Sequence, residues 1–255
     1  MTFPDHFSGV ASGYALHRPQ YPDRLFDLLR EAAPGGALAW DGATGSGQAV
    51  GPLAARFERV VATDASLSQL AAARSVRGVS YAAAPCELVP LASARVDLVT
   101  VGQALHWLDL DRFYAQVRRV LRPGGVVAAW SYGLFSTGVA AVDELVRTFH
   151  DETVGPYWPL ERGHVTEGYE RMPFPFDRVP LPAVAMEAEW SSDHVLGYLS
   201  TWSAVSRYRR QLGEDPVALV RSRLEAAWGE ATTRRIRWPL AVLAGRSSPP
   251  ATMDG

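Results

Sequence analysis

The sequence has no lysine, a single cysteine and no long apolar run, and each of these absences excludes a class of protein. Because all 25 basic residues are arginines, a P-loop that binds nucleotide phosphates through a lysine is excluded. Cys86 is the only cysteine, which excludes an internal disulfide and a zinc site built from cysteines. No apolar run reaches the roughly 18 residues of a membrane-spanning helix, and the first residues lack the pattern of a signal peptide. We therefore expect a cytoplasmic protein that does not contact membranes.

What the sequence does contain is ordinary for a globular protein. Of its 255 residues, 47% are hydrophobic and 20% are charged, and this length suits one large α/β domain with a buried core. The net charge of −2 argues against a nucleic-acid partner, because such partners are held by an excess of positive charge. We expect a single domain over residues 1–245, followed by a disordered Ser- and Pro-rich tail over residues 246–255.

The stretch from Leu38 to Asp64 carries the strongest local pattern. A short apolar run leads to Asp41, a glycine-rich turn follows as far as Gly47, and after a helical run a second apolar run ends at Asp64. Glycines let the backbone turn sharply and leave room for a ligand against the main chain. A carboxylate at the end of the second strand can accept both hydroxyls of a ribose, and the two acids stand close to the roughly 20 residues apart expected for this. The stretch therefore predicts half of a nucleotide-binding βαβ unit.

Strand and helix patterns alternate along the first half of the chain, which predicts a doubly wound, mostly parallel sheet. The alternation weakens after Tyr132. Residues 134–190 contain aromatic and proline-rich loops, which we interpret as an insertion that supplies the substrate pocket. Residues 191–211 carry a helical pattern that predicts one continuous helix.

Residues 1–21 place Phe7, Ala11, Tyr14 and Arg18 three or four positions apart, so these side chains can share one helix face. Such a segment can be a helix packed on the core. It can also be a lid that closes over a bound ligand, with Tyr14 or Arg18 reaching a carboxylate, and we predict the lid.

The glycine turn alone is a weak signal for a nucleotide site. After Gly45 and Gly47 the next glycine is Gly51, one residue too late for the dinucleotide fingerprint G-x-G-x-x-G. The signal is stronger here because an acid ends both predicted strands and a Pro-Gly-Gly turn at residues 123–125 precedes a later strand.

Together these motifs resemble the class I S-adenosylmethionine-dependent methyltransferases. The turn from Asp41 to Gly47 is similar to the family motif D-x-G-x-G-x-G, Asp64 stands at the position of the ribose-binding acid, and further matches lie at residues 84–87, 96–107 and 122–125. The resemblance implies a Rossmann-like fold with a seven-stranded sheet, S-adenosylmethionine (SAM) as cofactor and S-adenosylhomocysteine (SAH) as product. It also implies cofactor contacts from Tyr14, Arg18, Asp41, Ala43, Gly45, Gly47, Gln48, Asp64, Ala65, Cys86, Glu87 and Gln103.

Two positions depart from the family pattern. The first glycine of the motif is Ala43 here, which costs little at negative φ but about 1–2 kcal/mol at positive φ. Pro85 stands where many relatives carry an aspartate beside the adenine amino group. We expect cofactor binding to be retained, with the adenine recognised by the neighbouring backbone.

Outside this core, four short motifs resemble the trans-aconitate methyltransferase-like branch: Arg18-Pro-x-Tyr-Pro22, His106-Trp107, Gly155-Pro-Tyr-Trp158 and Thr201-Trp-Ser-Ala204. The resemblance implies a small-molecule acceptor with a carboxylate or hydroxyl oxygen. Arg162 and Arg171 are candidates for a two-armed clamp on a carboxylate. The predicted substrate-pocket residues are Tyr21, Trp107, Tyr157, Trp158, Arg162, Arg171 and Trp202; for the tryptophans among them we favour core packing over direct contact with the substrate.

His106 is the candidate catalytic residue, because it follows a buried strand at the edge where the reactive methyl group should lie. In a displacement at an activated methyl group, positioning and water exclusion supply much of the acceleration. A base is needed only if the acceptor carries a proton, as in a phenol, alcohol or amine, and His106 can then accept it. For a carboxylate acceptor, which we favour, His106 instead positions the substrate and shapes the pocket.

Three other functions remain open from the sequence. A methyltransferase fold can use SAM for a reaction without methylation, such as a cyclisation that releases methylthioadenosine. An NAD(P)-dependent oxidoreductase would share the acidic strand ends but fits the spacing after Gly47 less well. A non-catalytic binding module is disfavoured by the cofactor motifs. We expect no metal site, and the oligomeric state stays open.

Overall fold

Five parallel strands form the centre of an eight-stranded sheet in the computed structural model, which describes residues 18–247. The strand order is β3-β2-β1-β4-β5-β8-β6, and β7 pairs with β8 beside this path. The strands are β1 (Leu38–Gly42), β2 (Arg59–Asp64), β3 (Val79–Ala83), β4 (Val96–Gly102), β5 (Leu121–Ser131), β6 (Asp177–Arg178), β7 (Val184–Trp190) and β8 (Arg234–Arg246). The predicted doubly wound, mostly parallel α/β fold is confirmed.

Helices cover both faces of the sheet. They are α1 (Asp23–Ala32), α2 (Val50–Ala54), α3 (Leu67–Ala72), α4 (Leu110–Val120), α5 (Ala140–Thr148), α6 (Arg162–Thr166), α7 (Ser192–Ser200), α8 (Ser203–Leu212) and α9 (Arg221–Trp228). A π-helix, Phe149–Thr153, continues α5, and 3₁₀ turns lie at Leu105–Trp107 and Gly155–Tyr157. The side chains of Ser66 and Asp109 cap α3 and α4, since each accepts a backbone N–H that the helix leaves unpaired.

The strand residues of the sheet alternate between two apolar clusters, one on each face. On β5, Val126 and Trp130 pack with α1 and the C-terminal helices, whereas Val127 packs with the inner side of α4. Burial on both faces explains why β4 reads as a continuous apolar run.

The chain reverses its direction of winding between β1 and β4, because β2 and β3 lie on one side of β1 and β4 and β5 on the other. At such a switch point the connections after neighbouring strands leave in opposite directions and open a crevice at the carboxyl ends of the strands. Asp41 and Asp64 lie at this edge of the sheet, at the ends of β1 and β2.

Three details differ from the sequence-based expectations. The sheet has eight strands where seven were expected, because the C-terminal half of the chain adds β6, β7 and β8. The helix expected over residues 191–211 is two helices, because Thr201 donates its hydroxyl to the carbonyl of Tyr198 and Trp202 turns to extended backbone. The Pro-Gly-Gly turn lies inside β5, where it shifts the register against β4.

The predicted lid and tail fall mostly outside the described residues. Residues 1–17, which include Phe7 and Tyr14, and residues 248–255 are not described, so the lid and the disordered tail stay predictions. None of the helices between residues 18 and 247 has the length and apolar character needed to cross a bilayer.

Candidate functional site

A cavity of about 820 Å³ opens at the carboxyl ends of β1, β2 and β4, in the crevice of the switch point. It collects residues from every loop at this edge of the sheet, which is why residues distant in sequence meet here. Of the predicted site residues, those on its wall are Arg18, Tyr21, Asp41, Ala43, Gly45, Gln48, Asp64, Ala65, Cys86, Glu87, Gln103, His106 and Trp107.

Asp64 joins the two loops that follow β1 and β2. Its Oδ2 accepts the backbone N–H of Gly45 at 2.8 Å, and its Oδ1 accepts that of Ser66 at 2.8 Å. Each carboxylate oxygen has a second lone pair, so Asp64 can hold the loops and still accept hydrogen bonds from a ligand in the cavity.

Asp41 lies at the floor of the cavity and is only 2% exposed. Its two oxygens accept the hydroxyls of Thr44 and Thr100, each at 2.6 Å. Burial raises the pKa of Asp41 from 3.8 to about 6, and the charge of Asp64 adds to this, while both threonine bonds oppose it. A cationic ligand group beside Asp41 would therefore be favoured, because it would stabilise the ionised carboxylate.

The glycine loop after β1 contains one non-glycine residue in the left-handed region. Ala43 has φ +51°, so the alanine that departs from the family motif occupies a strained conformation. Gly47 has φ +83°, and a Cβ there would lie 3.1 Å from the Tyr81 hydroxyl, so glycine is required by both conformation and space. Gly47 does not line the cavity; it shapes the loop that does.

Strained backbone is concentrated around the cavity. Besides Ala43, Gln103 has φ +57° and Tyr169 has φ +64°, and of the positive-φ non-glycine residues described only Ala94 lies away from the site. Such conformations cost of order 1–3 kcal/mol each and cluster at functional sites. Gln103 is fixed by its amide, which donates to the carbonyl of Tyr132 at 2.9 Å.

Cys86 and Glu87 form the wall that follows β3. Burial raises the pKa of the Cys86 thiol well above its usual range, so the thiol is neutral and acts as a packing group. Glu87 accepts the backbone N–H of Asp109 through Oε1 at 3.0 Å, whereas its buried Oε2 has no hydrogen-bond partner among the described residues. An unpaired acceptor at this depth is costly and suits a donor from a ligand.

His106 is held by Tyr169. Its Nδ1 lies 2.9 Å from the Tyr169 hydroxyl oxygen, and the backbone N–H groups of Leu105 and His106 act on the same oxygen. The phenol proton is therefore free to be donated to Nδ1, and we assign the ring proton to Nε2. Burial, and then the charges of Arg162 and His164, lower the pKa of His106 from 6.5 to about 3. At neutral pH the ring is uncharged and its Nε2–H is a donor.

The two arginines predicted as a clamp lie in different environments. Arg171 is 80% exposed, pairs with Glu167 four residues earlier and does not line the described cavity, so the structure does not place it where a ligand in that cavity could be held. Arg162 begins α6 and stacks on the Trp158 ring, with its guanidinium carbon 4.7 Å from the ring centroid. Arg18 lines the cavity and donates to the Tyr132 hydroxyl at 2.9 Å.

Three aromatic residues predicted for the pocket wall, Tyr157, Trp158 and Trp202, belong to the hydrophobic core or pack against it. Tyr157 packs on Tyr208, and Trp158 packs on Trp202. None of the three lines the described cavity. The core interpretation of Trp202 therefore holds. Tyr21 and Trp107 do line the cavity.

Sequence reasoning missed Tyr132 and Tyr169. Tyr132 follows β5 at the same edge as the other loops, a position that the strand pattern alone could have marked. Tyr169 lies far along the chain in a turn whose left-handed backbone has no signal in the sequence beyond the preceding Gly168. Between residues 18 and 247 no cluster of metal-ligating side chains is found.

Comparisons with known proteins agree on one family. A model described as a methyltransferase domain matches residues 40–129. A protein from Anaeromyxobacter dehalogenans described as a type II methyltransferase has a structure with a TM-score of 0.86 and 45% identity, covering 91% of this chain and 99% of its own. A protein from Dictyostelium discoideum named as a methyltransferase is 29% identical over 94% of each chain. The malonyl-acyl-carrier-protein O-methyltransferase of Pseudescherichia vulneris is 35% identical over 48% of this chain and 50% of its own.

Proposed function

Since this chain belongs to the class I SAM-dependent methyltransferases, we propose that it methylates a carboxylate oxygen of a small organic acid. The observation that carries the choice of acceptor is the hydrogen bond from Tyr169 to His106, which makes His106 a donor on the cavity wall. The resemblance to the trans-aconitate methyltransferase-like branch agrees with an acid as substrate but stays a prediction.

The polar groups of the cavity fit the cofactor that the family uses. Asp64 has lone pairs left for ribose hydroxyls, the unpaired Oε2 of Glu87 can accept the adenine amino group, and Asp41 favours a nearby ammonium group. When bound, SAM supplies an activated methyl group on a sulfonium. The further residues that would hold it are Tyr14, Arg18, Ala43, Gly45, Gln48, Ala65, Cys86 and Gln103.

His106 is poorly suited to act as a general base. An efficient base has a pKa near the working pH, whereas burial and Arg162 lower the pKa of His106 to about 3. A carboxylic acid is already ionised at pH 7 and needs no base. The Nε2–H of His106 can instead donate a hydrogen bond that orients the acceptor.

A relative's chemistry supports an oxygen acceptor. The Pseudescherichia vulneris protein is named as an O-methyltransferase of a malonyl group, which carries a carboxylate, although this chain spans only half of that protein. A hydroxyl acceptor is the second candidate, because His106 lines the cavity; it would require the other ring tautomer, with Nε2 unprotonated, which the hydrogen bond from Tyr169 disfavours. The comparisons do not support an NAD(P)-dependent oxidoreductase or a SAM-dependent cyclisation.

The pH dependence of turnover separates the two acceptor types. At saturating SAM we expect the rate with a small carboxylic acid to be flat from pH 7 to pH 9, because this range lies above the pKa of Asp41, about 6, and that of His106, about 3. His106→Gln retains a donor and should cost about tenfold or less, mainly through positioning. A rate that rises through neutral pH, together with a loss of about 10²–10⁴-fold in His106→Gln, would instead assign the base role. Tyr169→Phe is the companion variant, since it removes the bond that fixes the ring.

A further inference from the structure

Arg162 is a half-buried cation without an acidic partner among the described residues. Its Nε is inaccessible and makes no hydrogen bond there, and its guanidinium stacks on the face of Trp158. Burial lowers the pKa of the Arg162 guanidinium, and the charge of Arg18 lowers it further. A charge that is partly withdrawn from water and left unpaired is costly, so the Arg162 guanidinium would be stabilised by an anionic partner.

His150 presents a second unpaired nitrogen close to the same ring. It lies in the π-helix Phe149–Thr153 and is only 8% exposed. Its Nδ1 is 2.6 Å from Oδ1 of Asp151, which leaves the buried Nε2 without a hydrogen-bond partner in the described part of the chain. Short π-helices frequently occur at functional sites, because the wider turn displaces a side chain from the regular helical position.

Trp158 connects the two groups. Its ring centroid is 5.1 Å from that of His150 and 4.7 Å from the guanidinium carbon of Arg162, and its Nε1–H donates to the carbonyl of His150. Burial lowers the pKa of His150, and the charge of Arg162 lowers it further, while Asp151 opposes both.

This cluster lies next to the methyl-transfer cavity. Glu161, the residue before Arg162, lines the cavity itself. Burial, and then the charge of Arg162, lower the pKa of His106 on the cavity wall. An acceptor whose reacting oxygen lies beside His106 could therefore extend toward Arg162.

We propose that Arg162, His150 and Trp158 form a subsite for an oxyanion of the acceptor, a carboxylate or phosphate other than the group that is methylated. The proposal rests on the proposed function. A cation beside the reacting carboxylate would stabilise the ground state more than the transition state, because the negative charge disappears as the ester forms, and such binding slows the chemical step. The cation is better used on a group that keeps its charge throughout the reaction.

Protonation of His150 gives a readout of the subsite that does not require methyl transfer. With Nδ1 directed at Asp151, an added proton resides on Nε2 and creates a second donor beside Arg162. A bound anion should favour this proton. The groups that act on the His150 ring are Asp151, which favours its protonation, and Arg162, which opposes it.

The test is an NMR titration of the His150 ring in the SAH-saturated protein, with the signal assigned from His150→Gln. Sodium succinate and inorganic phosphate are the two probes, and they distinguish a carboxylate from a phosphate ligand. We expect at least one probe to raise the pKa of His150 by about one unit. Arg162→Gln should weaken binding of that probe about tenfold or more, the loss expected for a charge-assisted hydrogen bond.

Arg171→Gln is the matched control, since Arg171 is an exposed arginine in the same region, and it should leave probe affinity unchanged. Should Arg162→Gln fold poorly, Arg162→Lys provides the second comparison, because it keeps the charge but loses the planar donor pair. No response of His150 to either probe, or equal losses in the Arg162 and Arg171 variants, would overturn the subsite. An alkali-stable methylated product with a normal His150 response would instead refute the carboxylate acceptor and leave the subsite standing.

Discussion

Ala43 shows how a single methyl group can store strain at the cofactor loop. Its φ of +51° lies in the left-handed region, where a Cβ crowds the backbone. The loop is held there by Asp64, which accepts the N–H of Gly45, and by the N–H of Thr44, which donates to the carbonyl of Thr63. The conformation is therefore imposed by bonds to β2.

We expect Ala43→Gly to raise the free energy of unfolding by about 1 kcal/mol. Glycine removes the energetic cost of the left-handed conformation, and this gain exceeds the opposing effect of the greater entropy of glycine in the unfolded chain. Urea denaturation measures the change. Ala94→Gly is the matched control, since Ala94 has φ +55° but is exposed and away from the cavity. Both variants should gain stability, and only Ala43→Gly should alter SAH affinity. A loss of stability in Ala43→Gly would show that the left-handed conformation is not strained.

The residues at the strand ends could be predicted from the sequence, whereas those contributed by later turns could not. Asp41 and Asp64 stand where parallel strands end, and parallel strands end at one edge, so their proximity follows from the strand pattern. Tyr169 reaches His106 through a turn defined only by tertiary packing. Nothing in the sequence distinguishes Arg162 from Arg171. The backbone of α6 and of the turn after it leaves the Nε of Arg162 inaccessible and the side chain of Arg171 exposed.

At the scale of an element, Asp97 fixes the start of β1. This fully buried residue of β4 accepts the backbone N–H groups of Ala37 and Leu38 through Oδ2, each at 2.9 Å. Its Oδ1 lies 3.1 Å from Nη1 of Arg122, in the turn before the regular part of β5. One carboxylate therefore ties together three neighbouring strands of the sheet.

We expect Asp97→Ala to lower the free energy of unfolding by about 3 kcal/mol, because it leaves one buried donor, one partly buried donor and one partly buried cation without an acceptor. Glu225→Ala is the control, since Glu225 pairs with Arg221 at the surface and such pairs contribute about 1 kcal/mol or less. Both values come from urea denaturation. Similar losses in the two variants would show that the Asp97 contacts are no stronger than a surface ion pair.

The sequence predicted which segments are helical better than it predicted where each helix ends. The pattern over residues 191–211 has one apolar period, but the hydroxyl of Thr201 competes for a helical carbonyl and ends α7. The π-helix after α5 has no sequence signal at all, because it depends on how His150 packs against Trp158 and Trp202. Local pattern gives the period of an element, whereas tertiary contacts decide its ends.

At the scale of the molecule, the order of winding determines where chemistry can occur. The reversal at β1 and β4 opens one crevice at the carboxyl edge of the sheet. The antiparallel β8 closes the far side: its first half pairs with β7 and its second half with β5. The C-terminal half of the chain thereby packs Arg162 and His150 beside the crevice that the N-terminal half forms.

The measurement that tests the central claim most directly is mass spectrometry of the product formed with SAM that carries a ¹³C-labelled methyl group. The purified protein is incubated with this SAM and with a small-molecule extract of cells of the organism that encodes it. Each labelled product is then treated with alkali. We predict SAH together with a labelled product that releases labelled methanol, as a methyl ester does. A labelled product that survives alkali, or methylthioadenosine without any labelled acceptor, would contradict methyl transfer to a carboxylate.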